Sequence, residues 1–195
     1  MPRTEFSVAT IDGQPALRID ARASYGNLVH PLTLPADAGP LQLAWRWRVE
    51  RFADGSDLAS KAGDDTALKV CALFDMPLAR VPFFERLLLR FARSRSGENL
   101  PAATVCYVWD RLLPAGSELR NAYSRRVRYV VLQGPTTPLG AWRSERRDLA
   151  ADFLRVFSDE AREVPPLIAI AIGADADNTK SESRAYLSDL NLGNL

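Results

Sequence analysis

The stretch LQLAWRWRVE, residues 41–50, alternates large apolar side chains with side chains that are polar or, at Ala44, small. Successive side chains of a β-strand point to opposite faces of its sheet. This period of two therefore predicts a strand with one face in the core and the other towards water or a ligand. Trp45 and Trp47 share the apolar face, and we expect both rings to lie in the core.

Similar signals recur along most of the chain. Residues 6–9 and 16–19 flank Asp12-Gly13, a pair typical of a hairpin turn. Further candidate strands lie at residues 66–74, 103–109, 127–131, 139–143, 167–172 and 185–192.

Two segments carry apolar residues at helical spacing instead. Residues 83–93 form the first, and residues 148–157 form the second, with Asp148 as its N-cap. The polar stretch 94–101 is predicted as a loop. Many strands, two short helices and no βαβ alternation predict an all-β, mainly antiparallel sandwich of the jelly-roll or galactose-binding-like type. We expect residues 1–195 to form a single domain.

The charge and hydropathy of the chain exclude several classes of partner. The formal net charge is +1, so there is no electrostatic case for nucleic acid or an anionic membrane. No stretch reaches the roughly eighteen consecutive apolar residues of a membrane span. Residues 1–5 lack the apolar core of a signal peptide, so we expect either a cytoplasmic protein or one whose leader has been removed. The sequence does not indicate an oligomeric state.

Histidine and cysteine are scarce. Because His30 is the only histidine, a histidine-based metal triad or relay cannot form. Cys71 and Cys106 both fall within predicted strands and have no metal-binding spacing. They are either free buried thiols or a single bridge between neighbouring strands. The chain also lacks a Gly-x-Ser-x-Gly elbow and the glycine-rich phosphate motifs, which leaves serine hydrolase and nucleotide chemistry without support.

An acidic cluster directly follows the apolar run at residues 167–172. Its side chains are Asp175, Asp177, Asn178 and Thr179. Alternating oxygen ligands of this kind suit Ca²⁺, which takes six to eight oxygens. The cluster does not match a calcium-binding helix–loop–helix, so a calcium site would need ligands from elsewhere in the fold. The alternative is that these residues form a turn and cap backbone amides.

A second polar cluster, Lys61, Asp64 and Asp65, precedes the predicted strand 66–74. Adjacent carboxylates repel each other unless a cation or a hydrogen-bond donor lies between them. The cluster is therefore either a solvated turn or the wall of a binding site.

Three aromatic side chains are candidate stacking faces for a sugar: Tyr107, Trp109 and Trp142. Flat aromatic rings match the C–H faces of sugars, and their polar tips form hydrogen bonds. Burial in the core is the alternative for each ring.

The order of these motifs resembles the bacterial domain-of-unknown-function 3047 family from the first tryptophan strand to the C-terminus. The motifs are Trp45-Arg46-Trp47, Lys61 to Asp65, Tyr107-Val108-Trp109, Asn121, Trp142 with Glu145 to Asp148, Asp152-Phe153 and Asp175 to Thr179. The resemblance implies a β-sandwich that is typically exported to the periplasm or beyond. It also implies that Lys61, Asp64, Asp65, Asn121, Arg147 and the 175–179 cluster meet in space. It brings no activity or catalytic residue.

These observations lead to three hypotheses. The first is a non-catalytic module that binds a glycan or similar polar ligand, with Lys61, Asp64, Asp65, Tyr107, Trp109, Asn121, Trp142 and Arg147 as ligand-binding residues and a structural Ca²⁺ at the 175–179 cluster. The second is a glycoside hydrolase or lyase that uses the carboxylates of Asp64, Asp65, Asp175 or Asp177. The third is a structural partner in a cell-envelope assembly, which a large exposed apolar patch on the 83–93 helix would favour.

Overall fold

The computed structural model describes residues 2–34, 39, 41–96 and 100–194. Within these residues the chain forms eleven β-strands and two α-helices. The strands are β1 (Glu5–Ile11), β2 (Gln14–Arg22), β3 (Tyr25–Pro31), β4 (Leu41–Arg51), β5 (Lys69–Phe74), β6 (Ala103–Trp109), β7 (Glu118–Arg120), β8 (Val127–Gln133), β9 (Arg143–Asp148), β10 (Leu167–Asp175) and β11 (Glu182–Asn194). The helices are α1 (Phe83–Ser96) and α2 (Leu149–Val156).

The strands are arranged in two sheets. The five-stranded sheet has the order β1-β2-β11-β4-β9, and all of its pairs are antiparallel. The six-stranded sheet has the order β3-β10-β5-β6-β8-β7, in which only the pair β6-β8 is parallel. The predicted all-β, mainly antiparallel sandwich is confirmed.

The main core lies between the sheets and is rich in aromatic rings. Trp45 on β4 contacts Tyr107 on β6, with 5.3 Å between ring centroids, and Trp47 lies 6.0 Å from Trp109. All four rings are buried, as expected for the two β4 tryptophans. Tyr107 and Trp109 are only 0% and 1% exposed. They cannot offer stacking faces to a ligand, which corrects the expectation from the sequence.

Most predicted elements lie close to their observed positions. Asp12 and Gly13 form the turn between β1 and β2, both with positive φ (52° and 78°). Asp148 caps α2 by accepting hydrogen bonds from the backbone N–H groups of Ala150 and Ala151. The strand predicted at residues 139–143 is wrong, because residues 139–142 lie in a turn region and β9 starts at Arg143.

Helix α1 continues to Ser96 and takes up part of the loop predicted at 94–101; residues 97–99 of that stretch lie outside the described residues. Neither α1 nor α2 is long and apolar enough to cross a membrane.

Cys71 and Cys106 form a disulfide between the neighbouring strands β5 and β6. The sequence left this open. The bridge lies on the face of the six-stranded sheet that points away from the other sheet, in a second apolar cluster with Leu58, Val108 and Tyr129. We call this face the outer face.

Candidate functional site

A group of polar side chains lies next to the disulfide on the outer face. Lys69 lies two residues before Cys71 on β5, so its side chain points to the same face. Across the sheet Lys69 pairs with Gly173 on β10, and Gly173 pairs with Asn27 on β3. A Cβ atom at Gly173 would collide with Oδ1 of Asn27 and lie 2.9 Å from Cε of Lys69. The bare backbone at Gly173 therefore lets both side chains lie over β10.

A buried ion pair forms the centre of this region. Nζ of Lys69 donates to Oδ2 of Asp175 at 2.5 Å, and these side chains are 10% and 8% exposed. Oδ1 of Asp175 accepts from the backbone N–H and the hydroxyl of Thr66, both at 2.6 Å. Burial opposes the charge on Lys69, but the charge of the Asp175 carboxylate outweighs the effect of burial and raises the pKa of Lys69. The lysine is therefore protonated at neutral pH.

Asp64 lies beside this pair and has a different chemistry. Its Oδ2 accepts from Nδ2 of Asn121 at 2.5 Å, and its Oδ1 accepts from the hydroxyl of Tyr129 at 3.2 Å. Burial raises the pKa of Asp64; the Asn121 hydrogen bond opposes this shift, and the charge of Asp175 adds to it. Burial likewise raises the pKa of the Tyr129 phenol, which stays neutral. Asp64 can thus hold a proton above the usual range of an aspartate.

Asp65 instead joins two loops. Its Oδ2 accepts from the backbone N–H of Thr179 at 2.7 Å and from the Thr179 hydroxyl at 2.6 Å. Its Oδ1 accepts from the backbone N–H of Asn178 at 3.2 Å. Nδ2 of Asn178 donates in turn to the backbone oxygen of Asp64. The two clusters singled out in the sequence therefore do meet, and the neighbouring carboxylates Asp64 and Asp65 have separate partners.

Two exposed tyrosines border the buried polar groups. Tyr25 is 46% exposed, its ring centroid lies 5.4 Å from Nζ of Lys69, and its hydroxyl accepts from Nδ2 of Asn27. Tyr123 is 60% exposed, and its hydroxyl donates to the backbone oxygen of Lys61 at 2.9 Å. Nζ of Lys61 lies 5.5 Å from the Tyr123 ring.

We call this region the outer-face site. It comprises Tyr25, Asn27, Lys61, Asp64, Lys69, Asn121, Tyr123, Tyr129 and Asp175. The sequence interpretation included Lys61, Asp64, Asn121 and Asp175 but missed the other members. Lys69, one of only three lysines and placed in an otherwise apolar strand, was the one local signal available.

The geometry gives the calcium prediction no support. Both oxygens of Asp175 accept hydrogen bonds from Lys69 or Thr66, and both oxygens of Asp65 accept from the 178–179 loop. Among the described residues, no group of three or more histidine, cysteine or acidic side chains is placed to hold a metal ion. Asp177 is half-buried, and burial followed by the charges of Asp175 and Asp65 raises its pKa.

Two predicted ligand-binding residues lie elsewhere. Trp142 packs near the turn between β1 and β2, where its Nε1 donates to Asp12 at 3.1 Å and the Arg46 guanidinium lies 5.2 Å from its ring. Arg147 pairs with Leu43 in the sheet and turns inwards, where it donates twice to Asp152 at 2.6 and 2.8 Å. Arg147 anchors α2 and is not part of the outer-face site.

Comparison with solved structures identifies relatives of the fold. The xyloglucanase domain of NopAA, a type three effector from Sinorhizobium fredii solved in complex with cellobiose, aligns with a TM-score of 0.50 and 8% identity, over 100% of this chain and 90% of that chain. The agarase AgWH50C aligns with a TM-score of 0.35 and 11% identity, over 99% of this chain and 24% of that one. At these identities the first likeness shows the fold alone, and the second carries no argument.

No curated protein sequence matches the chain. The family described as "Protein of unknown function (DUF3047)" matches residues 1–191, which is nearly the whole length. The resemblance seen in the sequence motifs is thereby confirmed, and the chain belongs to the DUF3047 family.

Proposed function

We propose that the outer-face site binds a glycan without catalysing a reaction on it. The observation that carries this proposal is the buried Lys69–Asp175 pair with Asp64 beside it, bordered by the exposed rings of Tyr25 and Tyr123. Charged and polar groups are concentrated there on a sheet face that is otherwise apolar around the disulfide.

Stability alone does not account for such a cluster. Transfer of two charges out of water costs several kcal/mol per ion, and a buried ion pair often stabilises no more than apolar residues of similar volume. Asp64 adds a third ionisable group, and burial disfavours its charged form. A site that must recognise a polar ligand gives a reason for this arrangement.

The chemistry of the site suits a sugar. Sugar hydroxyls both donate and accept, and a hydrogen bond to a charged partner such as the exposed ammonium of Lys61 is roughly twice as strong as a neutral one. Tyrosine rings at the border match the apolar faces of sugar rings. The relative NopAA domain was solved with cellobiose, which makes β-glucans the first ligands to test, although the likeness itself concerns the fold only.

The test is affinity electrophoresis of the full chain through gels that contain xyloglucan, soluble cellulose derivatives, agarose or an anionic polysaccharide. We expect retardation by at least one of these, and we expect Tyr25→Ala and Tyr123→Ala each to weaken binding about tenfold, equivalent to about 1.4 kcal/mol. Trp142→Ala is the matched control, since it removes a partly exposed ring outside the site. Equal mobility of all variants on every polysaccharide would contradict the proposal.

A second candidate is a glycoside hydrolase or lyase, and the raised pKa of Asp64 favours it. A carboxyl that holds its proton can act as a general acid. It ranks second because the neighbouring Asp175 is held by Lys69 and Thr66, which leaves it poorly placed to act as a base or nucleophile. Release of reducing ends or unsaturated sugars from a retained polysaccharide, abolished by Asp64→Asn, would favour the enzyme.

A further inference from the structure

Helix α1 presents an apolar surface to the outside. Five of its side chains are between 59% and 78% exposed: Phe83, Phe84, Leu87, Leu88 and Phe91. Counted from Phe83, the other four lie one, four, five and eight residues further along, which places all five on one side of the helix. We call these five side chains the apolar arc.

The opposite side of α1 faces the protein. Leu89 is buried and belongs to the main core. Glu85 lies 3.6 Å from the buried guanidinium of Arg126, and Arg93 donates to the backbone oxygen of Leu100 at 2.8 Å. The helix is therefore attached by one apolar residue and by polar contacts, which is the reverse of a surface helix that buries its apolar face.

The apolar arc is flanked by positive charge. The helix contains four arginines and one glutamate. The guanidinium of Arg86 lies 6.0 Å from the Phe83 ring, and that of Arg95 lies 5.5 Å from the Phe91 ring. Among the described residues, no carboxylate lies within salt-bridge distance of Arg86, Arg90 or Arg95, and the acidic Glu85 is turned towards Arg126.

The exposed area is large for a helix of this length. A full aromatic side chain has a surface of about 150–250 Å². Three phenylalanines and two leucines, each about two-thirds exposed, therefore present an apolar surface on the order of 600 Å². This is the upper end of the patches that monomeric proteins leave uncovered, and such patches mark sites of interaction.

We propose that α1 docks in the interface of an anionic lipid membrane, with the apolar arc between the headgroups and Arg86, Arg90 and Arg95 on the lipid phosphates. Phenylalanine and leucine on one side of a helix with arginines beside them is the pattern of helices that lie in the plane of a membrane. Anionic headgroups attract each such arginine. The net charge of +1 gave no electrostatic case for an anionic membrane, because a sum over the whole chain conceals this local concentration of arginines; the proposal departs from that expectation.

The charge complementarity favours a membrane over a second copy of the chain. A twofold contact through α1 would bring the arginines of two apolar arcs together, and like charges across an interface disfavour association. A neutral protein groove would leave the three arginines without partners.

Vesicle co-sedimentation of the full chain tests the proposal. One set of vesicles is phosphatidylcholine alone, and the other contains roughly a third phosphatidylglycerol. We expect partition onto the anionic vesicles and at least tenfold weaker partition onto the neutral ones. Phe84→Ser with Leu87→Ser is expected to lower the partition coefficient at least tenfold, and Arg86→Gln with Arg90→Gln is expected to lower it severalfold and to reduce its salt dependence.

Val8→Ser is the matched control. Val8 is 84% exposed on β1, so this substitution removes an exposed apolar side chain that lies away from α1. Thermal melting verifies that each variant is folded. Lack of partition onto anionic vesicles overturns the proposal. Light scattering that shows concentration-dependent dimers, lost in the Phe84→Ser, Leu87→Ser variant, overturns it in favour of a second copy.

Discussion

Replacement of Lys69 by methionine would show what the buried ion pair does. Nζ of Lys69 lies 2.5 Å from Oδ2 of Asp175, and both side chains are about nine-tenths buried. Methionine has a similar length and fills the space of the lysine stem, so the main loss is the charge. The carboxylate of Asp175 would then be buried with the Thr66 hydrogen bonds alone.

The expected cost is about 3–5 kcal/mol, the typical price when one member of a buried pair is left without its partner. In a chain of this size that corresponds to a fall in Tm of roughly 6–20 °C. Adding Asp175→Asn removes the remaining charge while its side-chain oxygen still accepts from Thr66. The double variant is therefore expected to recover about 2 kcal/mol or more of the loss in Lys69→Met.

Urea unfolding of the wild type, both single variants and the double variant completes a double-mutant cycle. If Lys69→Met costs under about 1 kcal/mol, the pair is effectively in water and the burial argument fails. If the double variant is no more stable than the Lys69→Met variant, then the unpaired charge of Asp175 is not the cause of the lost stability. Should the double variant be stable but fail to bind glycan, the pair is retained for recognition.

Three further predictions concern the same region. Burial raises the pKa of Asp64 in the folded state, so the contribution of Asp64 to stability is full below its unfolded pKa, near 4, and is lost as the pH rises through its folded pKa. The Tm of the wild type minus the Tm of Asp64→Asn should therefore decrease from pH 4 to pH 7. A constant difference would refute the raised pKa. Loss of the Cys71–Cys106 bridge, which spans 35 positions, should cost about 3–4 kcal/mol in urea unfolding. A reductant should destabilise the wild type but leave a Cys71→Ala, Cys106→Ala variant unchanged. A disulfide of this kind agrees with the exported location that the family resemblance implies. Gly173→Ala should displace the side chains of Asn27 and Lys69 and weaken glycan binding. The matched control is Gly193→Ala, which should not weaken binding because its Cβ would have its nearest neighbour at 3.6 Å. Equal effects of the two variants in affinity electrophoresis would contradict the role of the bare backbone at Gly173.

The strands could be predicted where one face is polar. The alternation in residues 41–50 identified β4 and placed Trp45 and Trp47 in the core correctly. The inner and outer faces of β6 could not be distinguished in this way, because all seven of its residues are buried. Tyr107 and Trp109 were therefore assigned to a ligand site although they point between the sheets.

The candidate site could be predicted only in part for a related reason. Polar residues at strand ends, such as Asp64, Asp65 and Thr179, are conspicuous in the sequence, and their meeting was expected. The partners Lys69 and Asp175 are 106 positions apart, and no local pattern connects a lysine in an apolar strand with a distant aspartate. Their proximity depends on the pairing of β5 with β10.

The most direct test of the account is NMR titration of the labelled protein with a glycan that retards it in affinity electrophoresis. We expect saturable shifts of backbone amides around Tyr25, Lys69, Asn121 and Gly173, all on or beside the outer face. The indole N–H of Trp142, which is bonded to Asp12, should stay unchanged. Shifts that centre on Trp142, with the outer face silent, would contradict the assignment of the glycan site.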